Sequence, residues 1–593
     1  MCPEKYSPEG FALKIFKDRY AIHSEETFFE ACQRVSRCIA DAELGKKRDE
    51  YYRRFLDIMA TNRFSPGGRI WRGAGRPRGQ LLNCFVIPAE DSREGWGDVL
   101  KNITIISGTG GGVGVNFSKI RPRGTLIRGT GGEATGAVSL MRAVNAVCDE
   151  LREGGGRRSA LMLCLKYDHP DLPEFLEAKL ENKELNNANI SVCIDSQFLK
   201  LLDENKDVIF KWHGEEKGSM PAKEIWNKIV KNSLINGDPG LLNIGLMNEQ
   251  NTISYVDGGE ITSTNPCGEV PLENYGCCCL GAINLHTHVI DGAIDWDLLE
   301  ETVSTGVRFL DNVLDQNSYP LPQIEEICQK HRRIGLGVMG LHDMLLELGL
   351  KYSSQNARDL VDTIMAFIKK QAYHASITLA VEKGPFHAFE AEQHVKTGFV
   401  KRSLPRRHHR LIKEHGLRNC AILTIAPTGT TSIVAGCSSG IEPLFQPIYE
   451  RRFNVHKDMH NKKKNKTVEI VMHPLLKQFL SSGRSIRYFQ GAHDISPSDH
   501  LAMQTICQKH IDNAISKTIN LPNEYEPEQL SKDMRRYIED LKGITVYRDG
   551  SKGESPLIPL PLDKAREYLN KTEEEASVND CPGGLCETEK GGD

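Results

Sequence analysis

An α/β fold with much parallel strand pairing is what this sequence predicts, and two observations carry the expectation. Short apolar runs at 161–165, 189–194, 279–285, Ile334–Met339 and 421–426 have the length and the bounding turns of buried strands. Between and after them lie helical patterns at 221–235, 296–314, 357–381 and 500–515, and strands alternating with helices build parallel sheets with helices packed outside. Composition agrees, since 593 residues with 39% hydrophobic and 26% charged content can bury a sizeable core.

The same numbers exclude some classes. A net charge of −4 gives no reason to expect a nucleic-acid polymer as partner. No apolar run reaches about eighteen residues, and Met1-Cys2-Pro3-Glu4-Lys5 lacks a signal-peptide pattern, so a cytoplasmic protein without membrane contact is expected. Seventeen cysteines, an odd number, argue against a disulfide framework and for thiols used in redox chemistry, metal binding or packing.

In chain order, residues 25–55 space Phe28, Phe29, Val35, Ile39 and Phe55 as helices do, and form a helical entry region. The run 81–87, bounded by Gly79 and Pro88, reads as a buried strand carrying Cys84. Gly108 to Val115 is too glycine-dense for regular structure, lacks the lysine of a P-loop and leads into a strand near 113–117. A helix over 137–151 stops at Arg152-Glu153-Gly154-Gly155-Gly156-Arg157-Arg158, where glycines end it and arginines supply anion contacts or a solvated basic turn.

The chemistry concentrates at Asn265-Pro266-Cys267-Gly268-Glu269. If this segment is extended, its amide, thiol and carboxylate project to one side, because side chains repeat every two residues along a strand. Pro266 removes a backbone donor and Gly268 a side chain, so the cysteine would sit at a loop tip that a substrate can approach closely; a buried cysteine beside a turn is the alternative. Cys277-Cys278-Cys279 follows, and strand alternation sets Cys278 on the opposite face from its neighbours.

Beyond the run 421–426, Pro427-Thr428-Gly429-Thr430-Thr431-Ser432 gathers hydroxyls and helix-start amides that suit a diphosphate or, more simply, a cap. The basic stretch 457–466 reads as a solvated loop. From Pro556 the composition turns to Pro, Lys and Glu, as in a flexible linker, and the chain then offers Cys581 and Cys586. With no further ligands nearby for zinc, these two read as a redox pair.

The pattern Asn265-x-Cys267-x-Glu269, with Cys278 ahead of Leu280-Gly281-Ala282-Ile283-Asn284-Leu285, resembles ribonucleotide reductase. Similar stretches run in the family's order from Arg63-Phe64-Ser65-Pro66-Gly67-Gly68-Arg69 to Gly543-Ile544-Thr545-Val546-Tyr547-Arg548-Asp549-Gly550-Ser551. The resemblance implies a ten-stranded α/β barrel (63–555) with the Cys267 segment on a finger loop inside it, a helical N-terminal region (1–62) and a flexible tail (556–593).

It also implies roles. Cys267 is the thiyl radical that takes the 3′-hydrogen, Glu269 the base on the 3′-hydroxyl, Asn265 a hydrogen-bond partner of the sugar, and Cys84 with Cys278 the reducing pair. The turn 427–432 holds the substrate phosphates, and 152–158 connects a bound deoxynucleoside triphosphate effector with the substrate base. Cys581 and Cys586 relay electrons from a thioredoxin-like protein.

Tyr547 without a second tyrosine beside it, together with Ser65-Pro66-Gly67-Gly68-Arg69-Ile70, resembles the adenosylcobalamin-dependent class, which binds its cobalamin with no protein histidine on cobalt. The resemblance further implies ribonucleoside diphosphates as substrates, a homodimer with effector sites at its interface, no protein-ligated metal, and no activity control by dATP. The large subunit of an oxygen-dependent reductase and a non-catalytic nucleotide sensor are the competing readings.

Overall fold

The computed structural model describes residues 5–127, 129, 131–153, 157–158, 160–180, 185–455, 465–548 and 557–570. It is a mixed α/β protein with a helical N-terminus and a ten-stranded sheet. The sheet strands are β1 (Phe64–Pro66), β2 (Cys84–Pro88), β3 (Gly112–Asn116), β4 (Leu161–Lys166), β5 (Ala188–Ile194), β6 (Gly240–Asn243), β7 (Cys277–Asn284), β8 (Ile334–Met339), β9 (Thr518–Leu521) and β10 (Gly543–Arg548).

The five strands β2 to β6 pair in parallel and in sequence order, as the alternation of apolar runs and helices predicts. A second block runs the other way: β7 is antiparallel to β2 and β1 but parallel to β8, while β10 is antiparallel to β6 and parallel to β9. Single bridges Leu336–Leu423 and Ile425–Ile515 carry the pairing beyond β8, and Ile515 lies just ahead of β9 at the sheet's other end.

The run 421–426 is therefore not the regular strand expected of it. The amides of Ile422 and Leu423 donate instead to the buried carboxylate of Asp512, each at 2.8 Å, so a side chain takes the place of a ladder. The helix expected over 500–515 ends at Gln508, which frees 513–516 for these contacts. The other long helices lie within two residues of their expected bounds, at Ala222–Asn236, Trp296–Gln316 and Gln355–Lys383.

Two helices occupy the expected entry region. Phe28–Ala40 starts with a capping box between Thr27 and Glu30 and buries Phe28, Ala31, Cys32, Val35 and Ile39. Lys46–Ala60 buries Phe55, Ile58 and Met59. Glu43, between them, joins this region to the helices Trp296–Gln316 and Gln355–Lys383: Arg308 Nε lies 2.8 Å and Lys383 Nζ 3.0 Å from its Oε1. Burial opposes the charge on Glu43, but these partners and Asn312 hold its carboxyl down to about 2.

The segment expected to begin a flexible tail is partly folded. Leu557–Pro559 pairs with 449–451, and a 3-10 turn at Leu562–Lys564 leads into helical residues 565–570. Ala565 is fully buried against a satellite core of Leu475, Leu476 and Phe479, so a few apolar side chains outweigh the polar composition around them. Residues 571–593 lie outside the described residues, as does most of the basic stretch 457–466.

Across the inner side of the sheet lies a β-hairpin of Ser263–Thr264 paired with Pro271–Leu272. Glycines make room for it. A Cβ at Gly114 on β3 would fall 1.8 Å from the Thr264 carbonyl oxygen, and one at Gly112 would meet Pro266 at 3.0 Å. Gly112 and Gly114 thus serve the close approach of the hairpin, whereas Gly111 in the same run makes room for Phe85 and Ile106. Gly114→Ala should lower unfolding stability by about 1–3 kcal/mol or more, whereas Gly97→Ala, whose Cβ meets nothing within 4 Å, should be neutral or mildly stabilising. Denaturant unfolding of both variants checks this, and equal stabilities would remove the close approach as a constraint.

Candidate active site

The hairpin ends in a turn, not in an extended strand. Gly268 has φ +81°, its amide donates to the Asn265 carbonyl at 3.0 Å, and the Val270 amide donates to Asn265 Oδ1 at 3.0 Å. The turn nevertheless presents Asn265, Cys267 and Glu269 to one cavity, so the three groups converge by a route other than strand alternation. Three bonds fix the tip: Asn189 Nδ2 to the Pro266 carbonyl at 2.7 Å, and Thr424 Oγ1 and the Ala514 amide to the Glu269 carbonyl at 2.6 and 2.9 Å.

Cys267 is the exposed member of the described cysteines; Cys38 is half-buried and the rest are buried. Glu269, two residues on, is 1% exposed, and its Oε2 has no hydrogen-bond partner among the described residues. Burial pushes its carboxyl up to about 7, against hydrogen bonding from Asn265 that favours the charged form. A carboxyl that can take or give a proton near neutral pH, beside an accessible thiol, is equipped for acid–base work on a bound hydroxyl.

Cys84 and Cys278 face each other directly across β2 and β7. Opposed residues of an antiparallel pair have Cα atoms about 4.5–5.5 Å apart, inside the range a disulfide spans. Strand alternation sorts the three adjacent cysteines. Cys278 joins Cys84, Val86, Val270 and Leu272 on the inner face, whereas Cys277 and Cys279 belong to the main core. Both Cys84 and Cys278 are buried, and burial raises both thiols well above their ordinary range.

The cavity, of about 490 Å³, runs from the hairpin tip past Cys84 to Pro427, Thr428, Gly429, Thr430 and Thr431, a size suited to a small organic ligand. At that far turn Thr428 and Gly429 both have φ +52°, and no side chain caps the short helix that follows, so a capping box is not its purpose. Thr431 and Ser432 spend their hydroxyl hydrogens on the carbonyls of Thr428 and Gly429 at 2.7 and 2.8 Å, which stiffens the turn. Tyr20 from the N-terminal region bonds to Thr430.

Arg19, Arg69 and Arg72 also line the cavity and add positive charge; sequence reasoning passed over them as site residues, although Arg69 ends the quoted stretch Arg63 to Arg69. Asn83 was missed as well. It stands beside Cys84 on the wall, and its buried Oδ1 has no partner among the described residues.

Other expected site residues lie elsewhere or outside the description. Arg152–Glu153 and Arg157–Arg158 form a two-stranded hairpin after the helix Ala137–Glu150, while Gly154, Gly155 and Gly156 fall outside the described residues. Cys581 and Cys586 also fall outside them.

Comparison with known proteins bears on this arrangement. Residues 82–547 match the family model described as the ribonucleotide reductase barrel domain, and residues 6–79 match the ribonucleotide reductase all-alpha domain. A vitamin B12-dependent ribonucleoside-diphosphate reductase of Thermoplasma acidophilum is 39% identical over 529 residues, covering 86% of this chain and 66% of the relative. One of the same name from Mycobacterium tuberculosis is 35% identical over 581 residues, covering 93% and 81%. A ribonucleoside-diphosphate reductase subunit alpha of Chlamydia trachomatis is 29% identical over 497 residues, 73% of this chain and 47% of that one.

The buried carboxyl yields a pH test. Its value of about 7 in the folded chain stands above the ordinary 4.5, so the folded state holds the proton more tightly than the unfolded chain. Its contribution is therefore fully present below about pH 4.5 and is lost as pH rises through about 7. Glu269→Gln has no such dependence. The stability of the variant relative to the parent should rise by roughly 3 kcal/mol across that window, measured by denaturant unfolding at a series of pH values; a flat difference would mean that the carboxyl is solvated.

Proposed function

The chain belongs to the ribonucleotide reductase family, and from that premise we propose that it reduces ribonucleoside diphosphates to 2′-deoxyribonucleotides by radical chemistry started with adenosylcobalamin. The observation that carries the proposal is a single cavity lined by Asn265, Cys267, Glu269, Cys84 and the turn from Pro427 to Thr431. The more similar relatives are named for vitamin B12 dependence, and that likeness favours adenosylcobalamin over an oxygen-dependent partner subunit or a sensor without chemistry.

The sheet is read as a closed barrel. The bridges from β8 through Leu423 and Ile425 to Ile515 support this, since Ile515 continues directly into β9.

Replacing a 2′-hydroxyl by hydrogen needs an unpaired electron that side chains cannot generate; adenosylcobalamin, once bound, would supply it. The chain fits such a group at one point: Cys267 is exposed, and a Cβ at Gly268 beside it would meet only Leu242 Cδ2, at 4.0 Å. Cys267, as a thiyl radical, takes the 3′-hydrogen of the ribose and returns it once the 2′-position is reduced, which restores the thiyl. Glu269 takes the proton of the 3′-hydroxyl, and the Asn265 amide hydrogen-bonds the sugar and orients it. Cys84 and Cys278 give two electrons and two protons, leave as a disulfide, and the 2′-oxygen departs as water.

The turn 427–432 holds the diphosphate through its backbone amides, with the lining arginines nearby. The hairpin containing Arg152 and Arg158 carries the state of a bound deoxynucleoside triphosphate effector to the substrate base, in a homodimer. Cys581 and Cys586 then re-reduce the pair and are themselves recharged by a thioredoxin-like protein.

Cys267→Ser should abolish deoxynucleotide formation while leaving diphosphate binding within about twofold, because an alkoxyl O–H bond is too strong for the relay and affinity rests on the turn. Product assay and equilibrium binding together check this, and substantial turnover would remove Cys267 from the chemistry. Cys581→Ser/Cys586→Ser should lose thioredoxin-supported turnover and keep most of the dithiothreitol-supported rate, since a small dithiol enters the cavity unaided. Unchanged thioredoxin-supported rates would sink the relay.

A further inference from the structure

Behind the reducing pair lies a buried ionic group that the chemistry above does not use. Glu273 Oε1 is 2.6 Å from His331 Nδ1, and its Oε2 is 3.0 Å from Arg333 Nη2. Arg333 also donates to Asn513 Oδ1 at 3.0 Å, and its Nε–H is a buried donor with no acceptor among the described residues. Burying this much charge is costly, and the main core beside it manages with apolar contacts.

Arg333 neighbours the buried Cys420, and the register brings it beside one thiol of the reducing pair as well. β8 runs parallel to β7 with Ile334 opposite Cys279 and Gly335 opposite Leu280, so Arg333 stands opposite Cys278. Ile334 belongs to the main core, which turns Arg333 and Gly335 to the other face, the one Cys278 occupies. A Cβ at Gly335 would lie 3.1 Å from Cys278 Sγ, so the thiol rests directly on this strand.

The two thiols of the pair are thus placed unequally. Cys84 lines the cavity, whereas Cys278 does not contribute to its lining and sits level with the guanidinium. Burial raises both thiols, and for Cys84 the neighbouring Glu269 and thiols push further the same way. For Cys278 the neighbouring Cys279 and Glu269 also push upward, but Arg333 works against the rise, an opposing cation that Cys84 lacks among its main influences.

We propose that Arg333 is a positioning residue for re-reduction: its charge makes Cys278 the sulfur that leaves as thiolate, so that an entering dithiol attacks Cys84 from the cavity. The inference rests on the reading that Cys84 and Cys278 become a disulfide in turnover. A reductant thiolate forms a bond to Cys84 Sγ, the Cys84–Cys278 bond breaks, and Cys278 departs as a thiolate beside Arg333 before taking a proton. The reductant's second thiolate then attacks its own sulfur in the mixed disulfide, and Cys84 is released reduced. Two electrons pass from the dithiol to the pair.

To test this, the full chain carrying Cys581→Ser/Cys586→Ser, whose tail cannot re-reduce the pair, is oxidised by one turnover without reductant, challenged with 2-mercaptoethanol, quenched with iodoacetamide and mapped by peptide mass. The adduct should favour Cys84 over Cys278 by roughly tenfold, the sense set by leaving-group stability. Arg333→Met should erase that preference and lower the dithiothreitol-supported steady-state rate by roughly tenfold, with product per site in a single reduced turnover unchanged. Arg333→Lys should restore both.

Should Arg333→Met fail to fold, Glu273→Gln decides, because removing the counter-charge should speed attack on the disulfide whereas a merely structural role predicts slowing. Adduct mainly on Cys278, an unchanged distribution in Arg333→Met, or slower attack in Glu273→Gln would each overturn the proposal. Finding no Cys84–Cys278 disulfide after turnover would instead overturn the assignment of the pair itself.

Discussion

The contact on which the site depends is a backbone one: a hairpin laid across the inner face of a sheet so closely that β3 must carry glycine beneath Thr264. Polar backbone in an interior needs partners. Here Thr264 pairs with Pro271 within the hairpin, and the Glu269 carbonyl accepts from Thr424 and Ala514 on the segments that bridge toward the far end of the sheet. The tip carrying Cys267 is consequently held from several sides by main-chain bonds, and its thiol keeps its position while its surroundings stay open. A radical step requires that combination, because hydrogen transfer is sensitive to sub-ångström placement while access must remain for a large cofactor and a substrate.

Around this fixed point the electrostatics are graded. Glu269 sits where water is scarce, so its proton is exchangeable near neutrality, while Glu273 on the same chain is held ionised by His331 and Arg333. Two carboxylates four residues apart are thereby held in different states by their neighbours, one with a proton exchangeable near neutrality and one as the counter-charge of a buried cation. The facing thiols divide in the same sense, with Cys84 lining the cavity beside Glu269 and Cys278 in register with Arg333.

Much of this was legible in the sequence where the signal was local. The cluster Asn265-Pro266-Cys267-Gly268-Glu269 announces chemistry through residue types in five positions, and alternation alone separates Cys278 from Cys277 and Cys279. What sequence could not give were relations set by distant partners. The run 421–426 has strand composition, yet Asp512 captures two of its amides. Residues 557–570 have linker composition, yet Ala565 and its neighbours find a cluster formed by the helix Pro474–Ser481. Arg333 reads as one more charge before a strand until the register of β7 and β8 sets it level with Cys278. Gly112 and Gly114 were legible as part of an unusual run but not as room for the hairpin, since the hairpin that needs them lies far along the chain.

The central claim is that this one chain holds a complete set of reducing and radical-handling groups and needs only a cobalamin to start them. The most direct measurement incubates the purified chain alone with adenosylcobalamin, a ribonucleoside diphosphate, dithiothreitol and a deoxynucleoside triphosphate effector, and follows deoxynucleotide by chromatography. The account predicts multiple turnovers that depend on adenosylcobalamin and need no second protein; absence of product until an iron-bearing partner subunit is supplied would contradict it.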